Sequence, residues 1–281
     1  FMLRPVEGAG REYEYRRLAV LGELVGGRLR AVAVPAEALT QFTTPKEDFC
    51  ANTRTLHPGD TLPRAELTAL LYGAGYARRD QVDGPGQFSI RGDIVDIYAP
   101  DMKQPARMEF WGDEIDTMHT FDLATQRRED PIEKIYVSPA REVLFGSPAE
   151  AAELLRAFIK KFRGKKRTAL EACLATELAQ LDGGALPVNM DKYLAVRYPQ
   201  PATLLDYFDD PLLVLEEPAS LREAERATTY RRGEEISALL QDGVLAAGLD
   251  NLYAENGYLW AQAANHRTIC AENFARSMPD I

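Results

Sequence analysis

Hydrophobic positions recur at the spacing of an α-helix near the start of the chain. Across residues 11–25 the apolar side chains fall three and four positions apart, and two glycines follow as a stop signal. The next run, RLRAVAVP at 28–35, predicts a short buried strand, and PAEALTQF predicts the start of another helix. This order of elements predicts an α/β segment.

A different pattern begins near Thr61. LPRAELTALLYGAGY predicts a helix that starts at Pro63, and four strand-like runs follow it: QFSIRGDIVDIYA, PARMEFW, EIDTMHTFD and KIYVSPA. Gly112-Asp113 separates the second and third runs at the spacing of a two-residue hairpin. One helix with an antiparallel meander predicts a small α+β domain at residues 61–142.

Helical periodicity returns after the meander. SPAEAAELLRAFIKKF predicts a helix capped by Ser147 with Pro148 in its first turn, and ALEACLATELAQL predicts another. Two further strands are predicted, at 211–217 and at 267–274, and Leu212 to Leu215 of the first are predicted to be buried in a parallel arrangement. Two further helices are predicted at 220–240 and 249–264. The small domain is therefore predicted to be an insertion between two portions of α/β character, at 1–60 and 143–281.

Composition restricts the class of protein. The 281 residues suffice for two domains, and no run approaches the ~18 apolar residues of a membrane span. We therefore expect a cytosolic chain that does not contact a membrane. The three cysteines and three histidines stand apart from one another, which predicts neither a disulfide framework nor a metal site. A net charge of −10 disfavours a surface that coats duplex nucleic acid.

The segment LLVLEE ends in Glu216 and Glu217, and acidic residues at a strand end can order magnesium in a nucleotide hydrolase. Such a strand needs a phosphate-binding loop, but the pattern G-x-x-x-x-G-K-[ST] is absent from the sequence. An ordinary strand end with solvated carboxylates is the favoured interpretation. We predict no catalytic residue and no cofactor for this chain.

A basic run could contact nucleic acid. KKFRGKKR carries six cations in eight residues: Lys160, Lys161, Arg163, Lys165, Lys166 and Arg167. The alternative is a pair of solvated helix ends, since lysine is favoured near a helix C-terminus. Both interpretations stay open from the sequence.

The segment GQFSIRGDIVDIYAP places charged residues along an apparent strand. With Gly92 interpreted as a bulge or a point of close backbone approach, Arg91 is predicted to point outward, while Asp93 and Asp96 lie at turns or pair with nearby cations. In PARMEFW the alternation puts Arg107 and Trp111 on one face. An exposed tryptophan flanked by arginines is typical of a protein interface, and the alternative is a tryptophan packed under the meander.

These segments, with PARMEFWGDEIDTMHTFDLATQR and IYVSPARE, resemble the small inserted domain shared by the excision-repair helicase UvrB and the transcription-repair coupling factors. TLLDYFDDPLLVLEEP resembles the segment in which UvrB carries its acidic nucleotide-site motif, but Glu216 stands where an aspartate is expected. REYEYRRLAVLGEL, VAVPAEAL, LLYGAGYARRDQV and FARSMPDI resemble the coupling factors as well. The resemblance implies a degenerate UvrB-like α/β module with an inserted α+β domain.

The resemblance also implies a function. In this family the inserted domain binds UvrA, the damage-recognition ATPase of nucleotide excision repair. The residues that match the family's contact positions are Arg91, Arg107 and Trp111. At the position of Trp111 a phenylalanine is more usual in the family. It implies a non-catalytic recruiting module in the bacterial cytoplasm, part of a longer ATP- and magnesium-dependent DNA translocase that meets RNA polymerase and DNA through other domains. The alternative is a fragment of UvrB that binds ATP and damaged DNA.

Overall fold

The computed structural model describes residue 3, residues 11–187 and residues 189–273. The chain divides into two compact units. The sheet unit comprises Val6–Leu29 and Lys46–Ala151, and the helical unit comprises Phe1–Pro5, Arg30–Pro45 and Ala152–Ile281. The first predicted helix thus groups with the sheet unit. The domain boundaries at 1–60, 61–142 and 143–281 remain predictions.

The regular elements are these. The helices are α1 (Glu12–Val25), α2 (Ala36–Leu39), α3 (Lys46–Ala51), α4 (Arg64–Gly73), α5 (Pro148–Lys160), α6 (Gly164–Asp182), α7 (Leu194–Arg197), α8 (Pro218–Gln241) and α9 (Tyr258–Asn265). The strands are β1 (Arg54–Leu56), β2 (Ala77–Arg78), β3 (Gln87–Arg91), β4 (Ile94–Tyr98), β5 (Ala106–Trp111), β6 (Glu114–Phe121), β7 (Arg128–Pro131), β8 (Ile135–Val137), β9 (Leu212–Glu216) and β10 (Arg267–Ala271). Short 3-10 turns cover Met190–Tyr193 and Leu204–Tyr207.

The sheet unit is built on a six-stranded sheet in which β2 to β7 lie in chain order. Every neighbouring pair is antiparallel except β2 and β3, which are parallel. The predicted antiparallel meander with a helix is confirmed. The prediction that the last run, KIYVSPA, belongs to the meander is wrong. This run forms β8, which pairs with β1 in a separate two-stranded sheet. The polar segment β7 takes the edge position instead.

Two Gly-Asp dipeptides make the tight turns of this sheet. Gly92 and Gly112 have φ angles of +62° and +65°, whereas the aspartate after each glycine keeps a negative φ. A positive φ at the first turn residue alone is the type II′ pattern, which favours glycine there. The predicted hairpin at Gly112 is confirmed, but the bulge, one of the two interpretations of Gly92, is wrong, since Arg91 pairs with Ile94 across a two-residue turn. The β5–β6 register shift lies at Glu109/Phe110.

The core of the sheet unit follows from strand alternation. Phe88, Val95, Met108 and Ile115 lie fully buried on one side of the sheet, and helix α4 packs Leu67 and Leu71 among the same cluster. The Tyr76 hydroxyl is also buried there and donates to the Ser138 carbonyl oxygen at 2.7 Å. Each large apolar side chain removed from water stabilises the fold by about 1.5–3 kcal/mol. The opposite side of the sheet is free to carry polar residues.

Helix α1 is attached to the sheet unit by ion pairs with buried acids. Arg17 contacts Glu142 at 2.9 Å, and the Glu142 amide donates to the Glu14 carboxylate at 3.0 Å. Arg28, just after the helix, contacts Asp101 at 2.5 Å. These contacts explain why α1 groups with the sheet.

The helical unit contains a parallel pair, β9 and β10, with Leu213 opposite Thr268. One face of this pair packs on α2 and α9 through Leu213, Leu215 and Cys270. On the other face Leu212, Val214 and Ile269 are 53%, 61% and 51% exposed. The parallel pairing is confirmed, but the prediction of a buried strand is wrong, because the described residues cover only one face.

The run RLRAVAVP does not form the predicted strand. Residues 31–35 have no regular secondary structure, and their exposure alternates, with Val34 packed against the core of the helical unit. The alternation of a strand is present, but the run is not hydrogen bonded into any of the three sheets of the described residues. The predicted end of the last strand, Phe274, lies outside the described residues.

The predicted helices form, with one exception in where a helix begins, whereas the short helices α3 and α7 are not predicted by the sequence pattern. The Glu150 amide donates to Ser147 Oγ at 3.1 Å, which confirms the cap of α5. Helices α6 and α8 form where predicted, but α9 begins at Tyr258 rather than Leu249, because Leu249 and Leu252 are buried in an irregular segment ended by Gly257. Among the described residues no helix is both long and apolar enough to cross a membrane.

The turn geometry leads to a stability prediction. Gly112→Ala should lower the free energy of unfolding of the sheet unit by about 1–2 kcal/mol, because a Cβ disfavours a positive φ. The matched control is Gly73→Ala at the end of α4, where nothing lies within 4 Å of the added Cβ. That variant should be neutral or gain up to about 1 kcal/mol from helix propensity. Urea unfolding of both variants is the measurement, and equal effects would contradict the assigned turn.

Candidate protein-docking site

The polar side of the six-stranded sheet, opposite the core, is here called the outer face. The register of β3 to β6 aligns its side chains in two rows: Ser89, Asp96, Arg107 and His119 in one, and Arg91, Ile94, Glu109 and Thr117 in the next. Trp111 and Glu114 pair beyond the second row, beside the Gly112 turn. The predicted contact residues Arg91, Arg107 and Trp111 therefore share one face of adjacent strands.

A buried carboxylate joins the two arginines. Asp96 is fully buried, and its Oδ1 accepts from Arg107 Nε at 2.7 Å. Its Oδ2 accepts from Arg107 Nη2 at 3.0 Å and from Arg91 Nη2 at 2.5 Å. A bidentate guanidinium and a second cation compensate the cost of removing this carboxylate from water. Of the two alternatives left open for Asp96, the structure shows pairing with local cations.

Arg107 lies mostly below the surface. Its side chain is 13% exposed, its Nη1 donates to the Gln126 carbonyl oxygen at 3.3 Å, and its guanidinium carbon lies 4.7 Å from the centre of the Phe121 ring. Hydrogen bonding to Asp96 raises the pKa of Arg107 above its ordinary value. The group is a fixed cation, held by three kinds of contact.

Arg91 is more accessible. Its side chain is 43% exposed, and the bond from Nη2 to Asp96 is its one hydrogen bond among the described residues. Its Nε and Nη1 groups are left as donors for another molecule. The nearby Asp93 pairs with Arg64 instead, at the tip of the β3–β4 turn.

Trp111 projects from the sheet into solvent. It is 84% exposed, whereas the preceding Phe110 is 5% exposed in the core. The alternation read from the sequence is confirmed, and the alternative of a tryptophan packed under the meander is wrong. A large exposed aromatic on a face that also carries arginines has the composition found in interface hot spots.

The sequence pattern did not reveal the rest of the outer face. Glu109 accepts from Arg128 Nη1 and Thr117 Oγ1 at 3.5 and 3.3 Å, and Arg128 comes from β7, which has no apolar pattern to mark it as a strand. Ile94 reads as a core residue, yet the tight turn at Gly92 places it half-buried on the outer face between Arg91 and Glu109.

His119 is a buried polar group on the same face. It is 5% exposed, and neither ring nitrogen has a hydrogen-bond partner among the described residues. Burial lowers the pKa of His119, and Arg128 lowers it further, while Glu109 acts in the opposite direction. The ring is therefore favoured in its neutral form.

The acidic strand end in the helical unit has the geometry of a structural turn. Glu216 is exposed, and Glu217 has a φ of +49° at the start of α8. The Glu217 carboxylate accepts from the Asn273 amide at 2.9 Å. Within the part of the chain that the structure describes, no group of three His, Cys, Asp or Glu side chains is placed to hold a metal ion.

The basic run spans the junction of two helices. Lys160 ends α5, and Lys165, Lys166 and Arg167 lie in the first turn of α6, where no acidic residue is present. Arg167 pairs with Glu171 at 2.8 Å, and Lys161 lies over the Phe158 ring. The run is exposed, so contact with nucleic acid stays a prediction.

Comparison with known proteins identifies the segment that holds the outer face. Residues 55–143 match the family model of the UvrB interaction domain. The chain is 31% identical over 84% of its length to a transcription-repair-coupling factor of Bacillus subtilis (strain 168), of which it covers 21%. It is 30% identical over 81% of its length to the same protein of Staphylococcus haemolyticus, of which it covers 20%. The chain thus spans about a fifth of the length of these relatives.

His119 generates a prediction about pH. Because its pKa is lowered in the folded chain, the unfolded chain takes up the proton first as the pH falls below about 6.5. The free energy of unfolding should therefore decrease below that pH by up to about 1.4 kcal/mol per unit, and His119→Phe should remove this part of the slope. Urea unfolding at pH 7.5, 6.5 and 5.5 measures it. The control His57→Asn leaves His119 in place, and an unchanged slope in His119→Phe would contradict the prediction.

The basic run generates a prediction about helix charge. Lys166→Glu puts an anion at the N-terminus of α6, where the macrodipole favours it, whereas Lys160→Glu puts one at the C-terminus of α5. Both changes remove a cation from the run, so their difference isolates the macrodipole. At low salt Lys166→Glu should be the more stable variant by about 0.6–2 kcal/mol. Thermal unfolding at two salt concentrations tests this, and the reverse order would contradict it.

Proposed function

We propose that the chain is part of a transcription-repair-coupling factor and that the outer face of its UvrB interaction domain docks UvrA. The observation that carries the proposal is Trp111, 84% exposed on the same face as Arg91, a guanidinium with free donors. Arg91, Arg107 and Trp111 are the three residues that docking requires. A partner that fits this face offers a carboxylate for Arg91 and an apolar recess for Trp111.

The role is recruitment rather than catalysis. The sequence contains no phosphate-binding loop, and the carboxylate of Glu217 is used in a structural turn. The full-length protein is proposed to use ATP in other domains to displace stalled RNA polymerase from DNA, while this part brings UvrA to the lesion. The proposal rests on the names of the relatives and on the family resemblance of the sequence segments.

A titration of the chain with UvrA tests the proposal. Isothermal calorimetry without nucleotide should show binding by the wild type, and Trp111→Ala should weaken it roughly 30-fold, about 2 kcal/mol, as for a buried interface anchor. Arg91→Ala should weaken it by a similar factor, because the partner carboxylate is left unpaired. Each variant is checked for folding by circular dichroism.

Matched controls separate the outer face from general surface effects. Arg156→Ala removes an exposed arginine in the helical unit, and Tyr230→Ala removes an aromatic that is 71% exposed on α8. Both should bind UvrA like the wild type. A flat wild-type titration would overturn the proposal, and binding that is lost at moderate salt yet unaffected by Arg91→Ala would favour contact through the basic run.

A further inference from the structure

Arg91 and Arg107 differ in what they can offer to a partner. We propose that Arg91 is the arginine that contacts the partner, and that Asp96 and Arg107 are positioning residues that hold the Arg91 guanidinium at the surface. The inference rests on the proposed docking of UvrA and assigns different roles within that site.

The hydrogen bonds of the Arg107 guanidinium indicate that this residue is not the one that contacts the partner. All three of its guanidinium nitrogens are used: Nε and Nη2 on Asp96 at 2.7 and 3.0 Å, and Nη1 on the Gln126 carbonyl oxygen at 3.3 Å. Phe121 covers one face of the group, and 13% of the side chain remains exposed. Three of its five N–H groups are thereby used, and with 13% of the side chain exposed an incoming carboxylate has little access to the other two.

The loop before β7 is shaped to complete this arrangement. Gln126 has a φ of +58°, a conformation that non-glycine residues seldom adopt, and its carbonyl oxygen faces Arg107. The turn is fixed at its other end by Asp122, which accepts from the Thr125 amide and hydroxyl at 2.7 and 2.8 Å. These two hydrogen bonds lower the pKa of Asp122. The loop therefore holds Arg107 at Nη1, the guanidinium nitrogen that Asp96 does not engage.

Asp96 links this fixed cation to Arg91. Its Oδ2 accepts from both arginines, at 3.0 Å from Arg107 and 2.5 Å from Arg91, and the carboxylate is fully buried. Arg91 is tied by one nitrogen and remains 43% exposed, and its Nε and Nη1 have no hydrogen bond among the described residues, so they are available as donors. Without the Asp96 charge the Arg91 side chain loses its tether and regains rotamer freedom.

The consequence for binding is a loss of preorganisation. Immobilising a long side chain costs about 0.5–1.5 kcal/mol, so Asp96→Asn and Arg107→Gln should each weaken binding roughly 2- to 12-fold. Both effects act through Arg91. In an Arg91→Ala background neither change should weaken binding further, so the effects are non-additive.

A double-mutant cycle measures this coupling. UvrA binding is titrated at low salt for the wild type, for the three single variants, and for Arg91→Ala combined with Asp96→Asn or Arg107→Gln. If binding by Arg91→Ala falls below detection, the cycle is run on Arg91→Lys, which keeps the charge without the planar donor set. A further loss on adding Arg107→Gln to Arg91→Ala would show direct contact by Arg107 and overturn the inference.

A second readout does not depend on the partner. In the free chain the Arg91 Nε–H resonance should be resolved by ¹⁵N NMR in the wild type and should broaden or average in Asp96→Asn and in Arg107→Gln. An ordered Arg91 signal in both folded variants would overturn the inference. A flat wild-type titration with the expected NMR changes would count against UvrA docking alone, so the two failures are distinguishable.

Discussion

The buried carboxylate of Asp96 is the constraint on which the outer face depends. A carboxylate removed from water is costly unless hydrogen bonds and opposite charge replace the solvent. Arg107 supplies a bidentate pair to the fully buried Asp96, and Arg91 supplies a third hydrogen bond. The face therefore cannot rearrange without leaving a charge unpaired. Its order is enforced by electrostatics rather than by apolar packing, which lies on the other side of the sheet.

This arrangement depends in turn on two glycines. The turn at Gly92 fixes the register in which Asp96 lies opposite Ser89, and the turn at Gly112 fixes the register in which Trp111 lies opposite Glu114. A slip of one residue in the Gly112 hairpin would move the side chains of a strand to the opposite face, so that Arg107 would enter the core. The turn geometry therefore helps to decide which side chains, including the proposed docking residues, lie on the outer face.

The sequence predicts some of these features and hides others for physical reasons. The alternation in PARMEFW predicts Trp111 on the surface, because period-two patterning reports the face directly. The role of Asp96 depends on pairing between strands, and reading Gly92 as a bulge concealed that pairing. Arg128 is on a strand whose four residues are all exposed, so no hydrophobic pattern marks it. The run Leu212 to Leu215 is apolar at every position, and such a pattern does not show which face of the strand is covered and which is exposed.

The proposed docking at the outer face depends on local charges rather than on the net charge of −10. Surface charges act over roughly 8–10 Å at physiological salt, so a partner meets the local charges of the outer face. There Asp96 pairs with Arg107 and Glu109 pairs with Arg128, whereas Glu114 is an exposed carboxylate at the Trp111 end of the face. Arg91 is tied to Asp96 by one nitrogen and keeps two nitrogens as donors, so under the proposal an acidic group of a partner finds this guanidinium at a fixed position. A basic partner could reach Asp96 only by displacing an arginine that is already bound, so the buried pair disfavours basic partners at that point.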